Sequence, residues 1–184
     1  MIAQKEFDAY LAQLDIPVEE KRYASSFLKK NVYLSQIQQM GIMNNNSPEL
    51  VEMGFGNFNS KIMIKISSPA DKKMVLKFLT PLLERINISI WNCYLTFYCK
   101  CSNMTTNNEI LEREIQCIKP EVIINFNHAT SNYDNIKNIT INIDDIEYVL
   151  DETNFKTERY MEIMKGVYGF LPKLIPFKEL ESAH

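Results

Sequence analysis

Short apolar runs alternate with helical stretches from residue 61 onward. The runs "KIMIKI", "CYLTFYCK", "EVIINF" and "NITINI" are rich in Ile, Val and aromatic residues and have the length of buried strands. Parallel strands need crossover connections, usually helices, and these cover both faces of a sheet. The alternation therefore predicts an α/β fold, a three-layer αβα arrangement around a central parallel sheet of four strands. We expect these strands near residues 61–66, 93–99, 121–126 and 138–143.

The segments between and before these runs are expected to be helical. Residues 4–14 carry one apolar stripe, a second helix begins at Pro17, and a third passes Leu34 and ends near Gly41. After the first strand we expect a helix over residues 72–87 that is interrupted or restarted at Pro81. "NEILEREIQCIK" and "ETNFKTERYMEIMKGVYGFL" predict two more helices.

We expect residues 1–184 to form a single domain, because no linker long enough to separate two domains interrupts the pattern. Within it, residues 1–50 form a helical N-terminal segment and residues 52–170 the α/β core.

The composition excludes several classes of protein. A chain with 46% hydrophobic and 23% charged residues is typical of a globular protein rather than a disordered one. The net charge of -3 argues against a surface that binds nucleic acid over its whole extent. The N-terminus lacks the apolar core of a signal peptide, and no uninterrupted apolar stretch reaches about 18 residues. We therefore expect a cytoplasmic protein without membrane contact.

The four cysteines lie between residues 93 and 117. Cys99 and Cys101 would share one face of a strand, but a single intervening residue is not the usual spacing of a zinc knuckle. We interpret the cysteines as reduced thiols of the core, and expect no bound metal.

In an open parallel sheet, ligands bind beyond the carboxyl ends of the strands. Four segments follow the predicted strands and could form a site there. In chain order they are "SSPAD", "KCSN", "NHATSN" and "DDIEY".

The order and spacing of these segments resemble those of the uracil-DNA glycosylase superfamily, in particular its iron–sulfur-containing bacterial and archaeal branch. "GFGNFNSKIMIKISSPAD" is similar to the family's Gly-x-Gly-Asn turn, first strand and following loop, and keeps the proline of that loop as Pro69. "LTFYCKCSN" resembles a strand that ends in Thr-Asn-x-x-Lys-Cys-Arg-Pro, and "EILEREIQCIKPEVIIN" resembles the next helix and strand. The resemblance covers about residues 52–165 and implies a fold that accepts a flipped base in a tight pocket.

The residues that the resemblance implies for catalysis are missing. Ser67 stands where the family has Glu, and Phe97 stands where it has the Asn that reads uracil. The loop that carries the stacking ring is shortened, and "NIDDIEYVL" lacks the late histidine of the family. His128 lies where the family has a small residue, and we expect it to be structural. No cysteine precedes Cys93, so the cluster cannot be assembled and no cofactor is expected.

These departures favour a protein that retains the fold without its activity. Within the same superfamily, the psi subunit of the bacterial replicative polymerase complex looks like an inactive glycosylase fold that joins partner proteins, and the closing helical stretch is similar to the end of that subunit. We interpret the chain as a non-catalytic adaptor in DNA replication or repair, whose partners are other replication or repair proteins. The former base pocket is expected at Ser67, Ser68, Pro69, Phe97 and Asn127.

Two other hypotheses stay open at this stage. The first is a DNA glycosylase or hydrolase with a rebuilt active site, in which Ser67, Asp71, Asp144 or Asp145 replace the missing groups. Acidic pairs at such places are more often loop or helix-cap residues.

The second is weak DNA binding by lysines around the carboxyl edge of the sheet, although scattered lysines most often form a solvated face. These lysines are Lys65, Lys72, Lys73 and Lys100.

Overall fold

The computed structural model describes residues 17–39, 54–100, 104–127 and 135–174, with a few single positions between 9 and 14. These residues form an α/β fold in which a five-stranded, mostly parallel sheet is flanked by helices. The elements in chain order are α1 (Val18–Gln39), β1 (Phe55–Gly56), β2 (Ile62–Ile66), α2 (Lys72–Glu84), β3 (Tyr94–Phe97), α3 (Met104–Ile118), β4 (Val122–Phe126), β5 (Lys137–Ile141), α4 (Ile143–Leu150) and α5 (Glu158–Leu174).

The strand order across the sheet is β1-β3-β2-β4-β5. The four predicted strands are present as β2, β3, β4 and β5, and they pair in parallel. The expected count of four is too low, because β1 adds a fifth strand that pairs antiparallel with β3. Gly56 in β1 has φ 115, a left-handed conformation that glycine adopts without a steric penalty.

Every residue of β2, β3 and β4 is buried, so apolar side chains line both faces of the central sheet. On one face they pack against α2, α4 and α5, in a cluster that includes Ile64, Leu79, Ile124, Ile146 and Phe170. On the other face they pack against α1 and α3, in a cluster that includes Tyr33, Met63, Tyr94, Ile115 and Ile123. The sheet is therefore the middle layer, as the continuous apolar runs predict for parallel strands.

The helices differ from the predictions in several places. The predicted second and third helices form one helix, α1, because no glycine or proline interrupts the chain between Pro17 and Gly41. Helix α2 runs through Pro81 without a break and ends at Glu84. Helix α4, over Ile143–Leu150, was not predicted.

The closing helix is shorter at its start than predicted. A 3₁₀ turn over Glu152–Asn154 precedes α5, and the Asp151 side chain accepts a hydrogen bond from the Thr153 amide at the start of that turn. The helix predicted over residues 4–14 lies almost wholly outside the described residues. Among the described helices, none is long and apolar enough to cross a bilayer.

Candidate functional site

The carboxyl ends of the three central strands are tied to one another by hydrogen bonds. The Tyr98 amide donates to the Ile66 carbonyl at 2.7 Å, and the Cys99 amide donates to the Ser67 carbonyl at 3.2 Å. The Ser67 hydroxyl donates to the Phe126 carbonyl at 2.9 Å, which joins the end of β2 to the end of β4. The hydroxyl of Ser67, the first candidate nucleophile, therefore donates its proton to a main-chain oxygen and not to a general base.

Phe97 fills space at the end of β3. Its side chain is 2% exposed and belongs to the apolar cluster beneath α2. The ring of Phe55 in β1 packs on it, with centroids 6.2 Å apart and the planes tilted by 43°. The position at which the resemblance implies a base-reading amide is thus occupied by a packed aromatic ring.

Asn127 connects β4 to α4. Its backbone has φ 66, and its amide donates to the Ile141 carbonyl at 3.0 Å. Its side-chain oxygen accepts a hydrogen bond from the Ile143 amide at 2.6 Å, and so satisfies one of the free N–H groups at the start of that helix. Asparagine tolerates the left-handed conformation, so this geometry suits a structural turn.

Ser68, Pro69 and Asp71 form a local turn between β2 and α2. Pro69 begins a 3₁₀ turn over Pro69–Asp71, and the Ser68 hydroxyl donates to the Asp71 carboxylate at 3.2 Å. Asp71 directly precedes α2, where a carboxylate interacts favourably with the helix dipole. Among the described residues, no hydrogen bond joins Asp71 to Ser67, so the structure does not pair this acid with this hydroxyl.

Asp144 and Asp145 lie in the first turn of α4. The side chain of Asn142 caps this helix and accepts from the Asp144 amide at 3.2 Å. Asp145 lies 3.6 Å from the guanidinium of Arg159 on the surface. Both acids therefore occupy the helix-start position that is common for such pairs.

The four lysines proposed for DNA contact do not form one surface. Lys65 and Lys100 are each 1% exposed, so neither presents its ammonium to a DNA backbone, and this part of the interpretation is corrected. Lys72 is half-buried, and its amine lies 4.0 Å from the centre of the Phe55 ring. Lys73 is exposed. Lysine on a strand can be buried when the strand is covered on both faces, which is the case for Lys65 in β2.

A group of buried, interacting polar side chains is centred on Glu114, which sequence reasoning missed. Its carboxylate accepts hydrogen bonds from the hydroxyls of Tyr33 and Tyr94 at 3.1 Å each. The Lys100 ammonium donates to the same oxygen at 2.9 Å, and Thr96 donates to the other oxygen. All five side chains are buried.

This group, which we call the Glu114 network, links several elements. Tyr33 lies in α1, Tyr94 in β3 and Glu114 in α3, and the amide of Gly54 also donates to the carboxylate at 3.3 Å. Burial, and then the Glu114 charge, raise the pKa values of Tyr33 and Tyr94 well above that of a free tyrosine. Every buried polar side-chain atom of the network has at least one hydrogen-bond partner, which is typical of a structural group.

One sequence signal could have indicated this network. Glu114 lies at helical spacing within the apolar stripe of α3 that includes Ile110, Leu111 and Ile118. A carboxylate within such a stripe requires buried partners. The identity of those partners could not be read, because Tyr33 and Glu114 are 81 residues apart.

The three cysteines that the structure describes each have a different exposure. Cys93 is buried, as predicted, and burial raises its pKa to about 12. Cys117 is half-buried, whereas Cys99 is exposed and corrects the prediction that it packs in the core. Cys101 and His128 lie outside the described residues. Within the described ranges, His, Cys, Asp and Glu side chains form no group of three or more that could hold a metal ion.

No protein-family model matches the sequence, and no curated protein matches it at a significant level. Function must therefore be argued from the chemistry of the residues themselves.

Proposed function

We propose that the protein is a non-catalytic member of the uracil-DNA glycosylase fold that acts as an adaptor or DNA-associated module in DNA replication or repair. The observation that carries the non-catalytic part is the burial of Phe97 against Phe55. A hydrocarbon ring offers no hydrogen bond to the edge of a base. A flipped base would also have to displace this ring from the core, and that displacement is unfavourable.

The neighbouring polar groups support the same proposal. Ser67 donates to the Phe126 carbonyl, and Asn127 accepts from the Ile143 amide. Each group would have to give up a bond that contributes about 0.5–1.5 kcal/mol before it could act on a ligand. A hydroxyl without a nearby base is a weak nucleophile near neutral pH.

The replication or repair setting rests on the order of the motifs between residues 52 and 165 and on the similarity of the closing helix to the psi subunit. A mostly parallel sheet between helices is compatible with that fold. An adaptor acts through exposed side chains, and this chain exposes several large apolar ones. Trp91 is 82% exposed, Phe155 54% and Met161 52%. Aromatic residues and methionine are enriched in the cores of protein interfaces.

Direct contact with DNA is expected to be weak. Only Lys72 and Lys73 remain at the surface among the four lysines considered, and the net charge is -3. Two phosphate contacts give a shallow dependence of affinity on salt concentration, with a slope of about -2 in logarithmic units.

Affinity capture of the tagged protein from the cells that produce it tests this proposal. We expect replication or repair proteins to be recovered in excess over a tag-only control. DNA binding at low salt is measured in parallel by fluorescence anisotropy. Recovery of no such protein, together with no DNA binding at low salt, would contradict the proposed adaptor function.

A further inference from the structure

Three polar side chains lie side by side inside the sheet. Thr96 in β3, Lys65 in β2 and Asn125 in β4 are register partners on adjacent strands. Each follows a residue two positions earlier that packs against α1 and α3, so all three side chains are on that face of the sheet. Thr96 and Asn125 are 0% exposed, and Lys65 is 1% exposed.

Two of these three side chains lack a close polar partner, and in Asn125 the unsatisfied atom is fully buried. The side-chain oxygen of Asn125 is buried without a hydrogen-bond partner, and its nitrogen has only long contacts, at 3.4 Å to Asn138 and 3.5 Å to the Ile139 carbonyl. The Lys65 amine lies 5.1 Å from the centre of the Tyr98 ring. Among the described residues, no hydrogen bond or ion pair reaches this amine. Thr96, in contrast, both donates to Glu114 and accepts from Lys100.

The fold itself gains nothing from these unsatisfied atoms. Partial desolvation of the Lys65 ammonium and a buried Asn125 carbonyl without a donor both destabilise the folded state. Apolar side chains of similar size would fill the same space without that penalty. Polar groups that the fold does not use are expected at functional positions.

Exposed residues of β5 lie next to Asn125, so solvent is closest to Lys65 and Asn125 on that side of the sheet. Thr140 is the register partner of Asn125, and both Thr140 and Asn138 are exposed. The Asn138 side-chain oxygen is also the one that accepts from Asn125. Asn125 is thus one strand away from exposed positions on the same face of the sheet.

We propose that Lys65 and Asn125 form a binding site for a small oxyanion that carries a hydroxyl group, such as hydrogen phosphate. The ammonium of Lys65 donates to a charged oxygen of the ligand, and the ligand hydroxyl donates to the Asn125 oxygen. One ligand of this kind satisfies both groups, whereas an anion without a hydroxyl satisfies only the lysine. Burial lowers the pKa of Lys65 to about 8, so the amine remains mostly protonated at neutral pH. This site lies on the opposite face of the sheet from Phe97 and does not depend on the proposed adaptor function.

The experiment compares hydrogen phosphate with sulfate at equal ionic strength and neutral pH, by thermal shift and calorimetric titration of the full chain. Sulfate has a similar size and charge but no hydroxyl group. We expect phosphate to bind and sulfate to bind about tenfold more weakly, because it leaves the buried Asn125 oxygen unsatisfied. Equal responses to the two anions would indicate an adventitious ion only and would overturn the proposal.

Two variants locate the site. Lys65→Met and Asn125→Leu replace each polar group by an apolar one of similar size, and both are expected to abolish the difference between phosphate and sulfate. Without ligand they should be at least as heat-stable as the wild type. Lys73→Met removes an exposed lysine with the same change in charge and should leave the phosphate response intact. A wild-type phosphate response in Lys65→Met contradicts the assignment.

A measurement on the wild type avoids dependence on variant folding. Addition of phosphate should shift the side-chain amide resonances of Asn125 in a nitrogen-proton spectrum, and addition of sulfate should shift them less. Asn125 resonances that stay unchanged at high phosphate concentration would contradict the proposal.

Discussion

The ammonium of Lys100 lies 2.9 Å from the carboxylate of Glu114, and both side chains are completely buried. The same carboxylate accepts hydrogen bonds from Tyr33 and Tyr94. Lys100, which follows β3, is therefore anchored in the interior and is not free to contact a ligand. This pairing also explains why a lysine at the end of a strand does not contribute to a basic surface.

Removing one partner of this ion pair should strongly destabilise the protein. Lys100→Met leaves the Glu114 charge buried without its counterion, and we expect the free energy of unfolding to fall by about 3–5 kcal/mol. Urea denaturation followed by circular dichroism measures this change. Lys61→Met is the matched control, because Lys61 and Glu121 form a pair at 3.5 Å whose side chains are each 54% exposed. The control should lose less than about 1 kcal/mol. Similar losses in the two variants would argue against a buried network.

Phe97 should behave as a core residue. Phe97→Ala leaves a cavity beneath α2, and we expect a loss of about 3–5 kcal/mol in the free energy of unfolding. Trp91→Ala removes a larger ring that is 82% exposed, so it should change stability by less than about 0.5 kcal/mol. If Phe97→Ala were neutral, the ring would not fill the space assigned to it.

The glycines of α5 should be replaceable. A Cβ atom at Gly166 or Gly169 would meet nothing within 4 Å, and neither residue has a positive φ. Alanine at each position should therefore raise the free energy of unfolding by about 0.5–1 kcal/mol. Gly56→Ala should do the opposite, because φ is positive there and a Cβ would collide with the Cys93 carbonyl oxygen. Thermal unfolding of the three variants distinguishes these expectations. Destabilisation by Gly166→Ala would indicate a constraint that the described fold does not contain.

Lys65 should make stability depend on pH. The unfolded lysine holds its proton up to a pKa of 10.5, and the buried lysine only up to a pKa of about 8. Between these values the unfolded state binds more protons, so the contribution of Lys65 to the free energy of unfolding rises with pH. Urea denaturation at about pH 7 and about pH 9.5, in a buffer without phosphate, should show the wild type gaining stability relative to Lys65→Met. A difference that stays constant over this range would mean that Lys65 titrates like a solvated lysine.

The strands of this fold could be predicted because each one is a run of buried residues with a clear pattern. The bounds of β2, β3, β4 and β5 fall within the predicted ranges or one residue outside them. Strand β1 could not be predicted, since two residues carry no periodicity and their pairing depends on a partner strand about 40 positions later. Helix α4 was not predicted from the sequence, because its acidic first turn resembles a loop.

The candidate site was harder to predict than the fold. The sequence correctly predicted that Phe97, Ser67 and Asn127 lie at or near strand ends. The hydrogen bonds of Ser67 and Asn127 could not be predicted, because their partners are main-chain groups that no residue type identifies. The burial of Lys65 and Lys100 depends on which helices cover the sheet, so it is a property of the tertiary structure. A lysine within an apolar run was nevertheless a sign of burial, as "KIMIKI" shows.

The most direct test of the non-catalytic claim is uracil excision under single-turnover conditions. The wild-type protein, in excess over single- or double-stranded DNA that contains uracil, is incubated at neutral pH, and abasic sites are counted after alkaline cleavage. A base that lacks both a hydrogen-bonding partner and a stacking surface loses a few kcal/mol of recognition, so we predict no more abasic sites than in a control without protein. Clear excision by the wild type that disappears in Ser67→Ala or Asp71→Asn would contradict the account and establish a rebuilt active site.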